Sequence, residues 1–295
     1  MRIVVAGSSG HLGRNLVSTL RSEGHEVVTL VRRPATGADE ITWDPTGSDF
    51  DSAVLAGVDA VINLCGAPVA AQRWTPEYQQ ELRESRILPT RVLARAVAEA
   101  SVPVLLNASA AGWYGDSGDR EVDEFTPNAD DFLGTMCRDW EAATAAAVEG
   151  GARVVLLRTS NVLAADSMMV EGLSPLFKLG LGGKFGSGRQ YVPWITLQDW
   201  LAAVRWLLVE PVSGPVNLVA PEAVTNAVFT KAFARALRRP ALLTVPGALL
   251  KLIGGEAGAE LLHGHRMVPK ALVGSGFQFT HPTLDEAMAY TFTRR

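Results

Sequence analysis

Residues 1–33 constrain the fold of this chain more than any other stretch. Residues 2–6, which read RIVVA, form a short apolar run rich in β-branched side chains. Leucines at helical spacing follow from Leu12 to Leu20, Gly24 ends that pattern, and residues 26–31 form a second apolar run. A strand, a helix and a strand in this order make a βαβ unit with parallel strands. The chain is therefore predicted to be an α/β protein.

The turn between this first strand and the first helix is rich in glycine. It reads Gly7-Ser8-Ser9-Gly10-His11-Leu12-Gly13. Glycine permits positive φ and lets a diphosphate approach the backbone, while a helix N-terminus offers free N–H groups to anionic oxygen. Because the glycines follow a strand and open a helix within one βαβ unit, the turn predicts a dinucleotide site. The alternative is a tight turn in an ordinary α/β sheet.

The end of the second strand carries two arginines, Arg32 and Arg33, about 20 residues after the glycines. A carboxylate at this place would accept the ribose 2′-OH of NAD, whereas arginine accommodates the 2′-phosphate of NADP. Planar guanidinium groups suit phosphate through paired, charge-assisted hydrogen bonds. Two arginines and no acid therefore favour NADPH. The alternative is a solvated basic turn, because arginines are common on surfaces.

The rest of the chain continues the alternation of strand and helix. Short apolar runs at residues 40–43, 58–64, 102–107 and 153–158 predict further strands, and a helix is predicted from Pro76 to about Ala100, kinked or split at Pro89. Together they predict a Rossmann-type, doubly wound parallel sheet. Residues 1–220 are assigned to this NADP-binding domain, with 164–195 contributing to a smaller substrate lobe. Residues 221–295 are predicted to form a small, mainly helical C-terminal domain.

Composition limits the classes of function. The 295 residues carry a net charge of −4, are 47% hydrophobic, and contain no run of 18 apolar residues. No nucleic-acid footprint, membrane span or secretion signal is therefore expected, and a cytoplasmic location is the default. The two cysteines, Cys65 and Cys137, lack metal-ligand spacing, so no metal is predicted. The expected partner is a small-molecule substrate of unknown identity, bound by a monomer or homodimer.

Several short strings stand out along the chain: the glycine turn, Asp44, LCGA at 64–67, SAAGWYG at 109–115, Glu124 and Pro127. Together they resemble the extended short-chain dehydrogenases/reductases of the sugar-nucleotide epimerase and dehydratase group, over roughly the first two thirds of the chain. A second set is TWDP at 42–45, RWT at 73–75, ESR at 84–86, DWE at 139–141, VPWI at 192–195 and the tail from Val224. This set resembles the atypical, NADP-binding "epimerase family" branch, in which a small C-terminal domain has no known role and the substrate is not established.

The resemblance implies a role in cofactor binding for a set of residues at the strand ends. In the family pattern, the positions of Gly7, Ser9, Gly10, His11 and Leu12, with Gly13, wrap the diphosphate. Arg32 and Arg33 would hold the 2′-phosphate, and Asp44 would face the adenine amino group. Leu64, Gly66 and Ala67 would line the adenosine ribose. Arg158 and Asn161 would lie near the nicotinamide carboxamide.

The catalytic pair of the family is missing. Family enzymes use Tyr-x3-Lys, in which the lysine lowers the pKa of the tyrosine so that the phenol can exchange a proton with the substrate. The corresponding positions here are Leu133 and Cys137, and the family's serine or threonine falls on Ala110. Tyr114 is the best remaining acid, with Ser109 as its hydrogen-bond partner. The alternative is that Tyr114 is a packing aromatic with a satisfied hydroxyl.

The leading functional hypothesis is an NADPH-dependent oxidoreductase or epimerase-like enzyme that acts on an unidentified small molecule. The glycine turn and a cleft lined by aromatic residues favour it. The alternative is a non-catalytic NADP(H)-binding module that senses cofactor state for a partner protein. Loss of Tyr-x3-Lys favours this alternative.

Overall fold

The computed structural model describes residues 1–47 and 50–293. The strands are β1 Arg2–Ala6, β2 Glu26–Val31, β3 Glu40–Thr42, β4 Ala60–Asn63, β5 Val104–Ala110, β6 Glu121–Val122, β7 Arg153–Thr159, β8 Asn161–Leu163, β9 Gly183–Phe185, β10 Tyr191–Val192, β11 Trp194–Thr196, β12 Gly214–Leu218, β13 Val224–Thr225, β14 Leu243–Val245 and β15 Arg266–Met267. The helices are α1 His11–Ser22, α2 Pro76–Glu99, α3 Phe132–Ala142, α4 Ala145–Glu149, α5 Met168–Lys178, α6 Leu197–Val209, α7 Asn226–Ala236, α8 Gly247–Glu260, α9 Lys270–Gly274 and α10 Leu284–Thr293.

Seven of these strands form one parallel sheet in the order β12-β7-β5-β4-β1-β2-β3. Strand β1 lies between β2 and β4, with Ile3 opposite Val27 on one side and Ala60 on the other. The chain extends the sheet from β1 in one direction and then, starting with β4, in the other. This reversal opens a crevice at the carboxyl ends of β1 and β4, where ligands bind in such sheets. The predicted Rossmann-type fold is confirmed.

Helices cover both faces of the sheet, which explains why its strands are apolar on both sides. On one face, Leu16 and Leu20 of α1 and Trp200 and Leu207 of α6 pack with side chains of the sheet. On the other face, α2 and α4 supply a second apolar cluster that includes Leu93. These two layers fix the orientation of the carboxyl edge of the sheet.

A third apolar cluster lies outside the two sheet layers. It joins Phe177 of α5, Trp194 of β11, Phe233 of α7 and Met288 of α10. These side chains come from residues 164–195, predicted to contribute to the substrate lobe, and from residues 221–295, predicted to form the C-terminal domain. Leu272 of α9, although it belongs to residues 221–295, packs into the core on one face of the sheet.

One local expectation, the kink or split of the second predicted helix at Pro89, differs in part from the structure. Helix α2 is a single helix that contains Pro89, so the split at this proline is wrong. Pro89 is buried, and the hydroxyl of Thr90 donates to the carbonyl of Arg86 at 2.7 Å. Proline lacks the N–H that would donate to the carbonyl of Ser85, four residues earlier in the helix.

Among the described residues, no helix has the length and apolar character needed to cross a membrane.

Candidate functional site

The glycine turn after β1 is held by close contacts within the protein at two of its glycines. Gly7 has φ +79°, and a Cβ there would lie 2.6 Å from the carbonyl carbon of Leu64. A Cβ on Gly13 would lie 2.2 Å from the carbonyl oxygen of Gly7. At both positions, therefore, the backbone of the protein itself leaves no room for a side chain. At Gly10 a Cβ would meet only the Gly7 oxygen, at 3.5 Å, so the protein itself leaves room there.

Helix α1 begins directly at this turn. Gly10 is the N-cap and has no side chain, and the first helical bond runs from the Arg14 N–H to the Gly10 carbonyl at 2.9 Å. The N–H groups of the first turn have no acceptor within a helix and carry the positive end of its dipole. The His11 side chain contacts Asp166 through Nε2 at 3.0 Å. The turn thus presents an anion-binding helix end beside exposed Ser9 and Gly10.

A pocket of about 500 Å³ opens beyond the ends of β2 and β3. Its lining includes Arg32, Trp43 and Asp44. Within residues 1–47 and 50–293, Arg32 makes no ion pair or hydrogen bond and is exposed. The carboxylate of Asp44 accepts hydrogen bonds from Thr46, which lower its pKa. The two residues predicted for the 2′-phosphate and the adenine therefore share one pocket.

Arg33 is engaged elsewhere, although it adjoins Arg32 in sequence. Its two terminal nitrogens donate to the two carboxylate oxygens of Glu40 at 2.7 and 2.5 Å. The hydrogen bonds from Arg33, together with those from the backbone and hydroxyl of Thr36, lower the pKa of Glu40 to about 2. The bidentate carboxylate already occupies one N–H edge of the guanidinium, so Arg33 is less available to phosphate than Arg32.

The segment after β4 forms the opposite wall of the crevice. The backbone of Leu64 lies so close to Gly7 that a Cβ on Gly7 would clash with it. The Ala67 N–H donates to the Ser85 hydroxyl at 3.0 Å, which ties the segment to α2. Gly66 is exposed and lies against the guanidinium of Arg86. The predicted cofactor residues at 64–67 are thus brought next to the glycine turn.

A buried network of polar side chains lies below the ends of β5, β7 and β12. Arg158 donates to both carboxylate oxygens of Glu141 at 2.9 Å, and Ser109 donates to one of them at 2.6 Å. Arg158 is 2% exposed and also stacks on Trp113, 3.7 Å from the ring centroid. The raised pKa of Arg158, which Glu141 causes against the cost of burial, keeps the guanidinium charged. These contacts join the carboxyl ends of neighbouring strands.

Tyr114 belongs to the same network. Its hydroxyl donates to Oδ1 of Asn217 at 2.7 Å and accepts from Arg158 at 3.1 Å, and the side chain is 4% exposed. Burial raises its pKa to about 12. These contacts match the alternative that the sequence left open for Tyr114, namely a packing aromatic whose hydroxyl is already hydrogen-bonded. The predicted partner Ser109 hydrogen-bonds to Glu141 and not to Tyr114.

The two positions of the missing Tyr-x3-Lys pair lie on α3. Leu133 and Cys137 are both buried, and a Cβ on Gly112 would come within 2.9 Å of Leu133. Burial raises the pKa of the Cys137 thiol to about 12. Neither side chain offers a proton at neutral pH.

Asn161 is the last of the residues predicted near the nicotinamide. It is exposed at the start of β8, and its amide donates to the Pro193 carbonyl at 2.8 Å. Sequence reasoning missed Asn217, which accepts the hydrogen bond from the Tyr114 hydroxyl. The sequence carries a signal only for Glu141, the acidic partner of Arg158, because a buried arginine requires an opposite charge.

The fold, the glycine turn and the pocket that contains Arg32 define a dinucleotide-binding protein of the Rossmann type. Residues 3–220 match the family described as "NAD dependent epimerase/dehydratase family", and residues 245–291 match a domain of unknown function, DUF1731. The chain therefore belongs to the NAD-dependent epimerase/dehydratase family.

Similar proteins span the whole chain. Epimerase family protein Mb2239 of Mycobacterium bovis is 47% identical over 99% of this chain and 98% of its own length. Human epimerase family protein SDR39U1 is 34% identical over 98% of both chains. A crystal structure of human SDR39U1 (isoform 2) with NADPH superposes with a TM-score of 0.91 at 32% identity and covers 100% of both chains.

Proposed function

We propose that this protein is an NADP(H)-dependent oxidoreductase that acts on a small molecule at the carboxyl edge of its sheet. Two observations together carry the proposal: the open glycine position Gly10 at the start of α1, and Arg32, whose side chain has no ion partner among the described residues. In this fold class a dinucleotide's diphosphate and 2′-phosphate bind at two such positions. The related human protein crystallised with NADPH supports the choice of cofactor.

The residues of the crevice fit the phosphates of this cofactor. Gly10 leaves space where a Cβ would have no protein neighbour in close contact, and the first turn of α1 supplies N–H donors. Arg32 lies in the pocket without an acidic partner among the described residues, and Asp44 lines the same pocket. Arg32 would therefore hold the 2′-phosphate that distinguishes NADP from NAD.

When bound, the nicotinamide ring supplies or accepts a hydride. The protein's part in that reaction is to position the substrate and to handle one proton. Tyr114 stays our prediction for the proton, with Ser109 in the network beside it. Because the Tyr114 hydroxyl donates to Asn217 and accepts from Arg158, it would have to leave Asn217 before it could donate its proton to a substrate.

The second candidate function is a non-catalytic NADP(H) sensor. Two observations favour it: Leu133 and Cys137 replace the family's proton-transfer pair, and the Tyr114 side chain is buried. A sensor would bind the cofactor with the same contacts but consume none of it.

The test has two stages. Fluorescence titration with NADPH and NADH first measures cofactor binding, which we expect to favour NADPH. Oxidation of NADPH by a panel of carbonyl compounds then measures turnover, with Tyr114→Phe compared against wild type. Equal affinity for both nucleotides contradicts the cofactor assignment. Binding without turnover of any compound favours the sensor, and an unimpaired Tyr114→Phe variant removes Tyr114 from the mechanism.

A further inference from the structure

The exposed leucines of this protein are confined to two segments. Within residues 1–47 and 50–293, eight leucines are exposed, and all of them belong to residues 176–181 or 242–261. Leu242 is 88% exposed and Leu179 is 74% exposed. Single exposed leucines are ordinary on a protein surface, whereas a contiguous group of them marks a binding surface. The eight are Leu176, Leu179, Leu181, Leu242, Leu243, Leu249, Leu252 and Leu261.

Five of these leucines adjoin one another where the end of α5 lies beside β14. The chain turns back at the end of α5, since the Leu181 N–H donates to the Leu176 carbonyl at 2.9 Å. Strand β9 follows and pairs with β14, with Gly183 opposite Leu243. The two exposed segments therefore form one surface. We call this surface the leucine patch, and it consists of Leu176, Leu179, Leu181, Leu242 and Leu243.

Positive charge accompanies the leucine patch. Lys178, Arg238 and Arg239 are exposed and have no ion partner among the described residues. Arg239 also joins the two segments, because its Nε donates to the Lys178 carbonyl at 3.2 Å. Residues 172–198 contain three lysines or arginines, residues 223–255 contain five, and neither range contains an acid, although the whole chain has a net charge of −4. The charge of this surface thus complements an anionic partner.

Arg238 keeps its charge at a backbone position that favours glycine. Its φ is +55°, and it directly follows Leu237, the C-cap of α7. The residue at this place after a helix is commonly glycine, because a Cβ is strained in the left-handed region. An arginine retained there at a cost in strain indicates a role for its side chain.

We propose that the leucine patch and its cations bind the surface of an anionic lipid bilayer. The leucine side chains would enter the boundary between headgroups and acyl chains, while the lysine and the arginines would meet the lipid phosphates. Contact of this kind lies in the plane of the interface and requires no helix that spans the bilayer.

The composition of the surface disfavours two other occupants. In a symmetric contact between two copies of the chain, cations would face cations with no acid nearby in sequence to pair with them. In a contact with another protein, Trp, Tyr and Arg dominate the affinity and leucine is under-represented. Every exposed large apolar side chain of residues 172–198 and 223–255 is aliphatic. Leucine with basic residues is instead the composition of surfaces that lie on membranes.

Flotation with lipid vesicles tests the proposal on the full-length protein. Vesicles of phosphatidylcholine alone are compared with vesicles of phosphatidylcholine and phosphatidylglycerol in equal amounts. We expect the protein to float with the mixed vesicles and not with phosphatidylcholine alone. The bound fraction should fall as salt is added, because salt screens the attraction between the cations and the lipid surface. Failure to float with the mixed vesicles overturns the proposal.

Two variants test the leucines and the charge separately. Leu242→Ser removes the most exposed leucine and should weaken binding to mixed vesicles about tenfold. Val148→Ser is its matched control, since Val148 is 57% exposed on α4, outside both segments, and its affinity should equal that of wild type. Arg238→Gly should weaken binding about fivefold through the loss of one cation. Because glycine is favoured at positive φ, the melting temperature of this variant should stay at or above that of wild type.

The same variants distinguish the bilayer from the other occupants. Unchanged vesicle affinity in Leu242→Ser or in Arg238→Gly overturns the proposal. If a second copy covered the patch, sedimentation velocity would show a dimer that Leu242→Ser dissociates, and this result also contradicts bilayer binding. NADPH affinity should be the same in both variants as in wild type, so the outcome is independent of the cofactor assignment.

Discussion

Replacing Arg32 with alanine should remove the preference for NADPH over NADH. The guanidinium lines the pocket beyond β2 and β3 and has no ion partner among the residues described. A hydrogen bond to a charged group is worth about 1.5–3 kcal/mol. Because Arg32 is exposed, solvent screening places its contribution at the lower end, about 1.5 kcal/mol, which corresponds to about a tenfold loss of NADPH affinity.

The neighbouring arginine provides a matched control for this change. Arg33 carries the same charge one residue away, but Glu40 holds it through bonds of 2.7 and 2.5 Å. Arg33→Ala should therefore change NADPH affinity by less than about threefold.

Fluorescence titration of both variants with NADPH and NADH measures these differences directly. NADH affinity should stay the same in Arg32→Ala, since NADH has no 2′-phosphate. Equal losses for the two nucleotides would show that Arg32 holds a group common to both. A larger effect from Arg33→Ala than from Arg32→Ala would reverse our assignment of the two side chains.

Three further predictions concern the buried network and the surface ion pair. Glu141→Gln leaves Arg158 buried without its counter-charge and should lower the free energy of unfolding by about 3–5 kcal/mol, measured by urea denaturation; a loss below 1 kcal/mol would contradict a buried pair. Tyr114→Phe should reduce turnover of any active carbonyl compound without changing NADPH affinity. Glu40 has a pKa of about 2 in the folded protein against an ordinary 4.5, so its pair with Arg33 should contribute stability above about pH 4.5 and lose it as the pH falls through about 2. A carbon-13 NMR titration of the Glu40 carboxyl in the folded protein should show this midpoint, and a midpoint near 4.5 would refute the pair.

The fold could be predicted because its signals are local. The apolar run of β1, the glycine turn and the leucine spacing of α1 lie within one short stretch, and each reports the conformation of its own residues. Family membership followed from short strings in a fixed order. The cleft position of Gly10 and the pocket position of Arg32 follow from the same local geometry.

Pairing between distant residues was not predictable from the sequence. Two adjacent arginines look equivalent along the chain, yet a carboxylate on β3 engages Arg33, while Arg32 has no ion partner among the described residues. Tyr114 and Asn217 are 103 residues apart, and only the sheet order brings β12 close enough for their hydrogen bond.

The sequence alone thus determined the parallel sheet, the dinucleotide turn and the loss of the catalytic pair, since each depends on residue type and spacing. Tertiary structure decided which charges are neutralised and which remain available. Burial and partner geometry set the free energy of a charge, and both come from segments far apart in the chain. Arg86 shows the difference: along the chain it is one arginine of a helix, and in the fold it is a buried cation at the edge of the site.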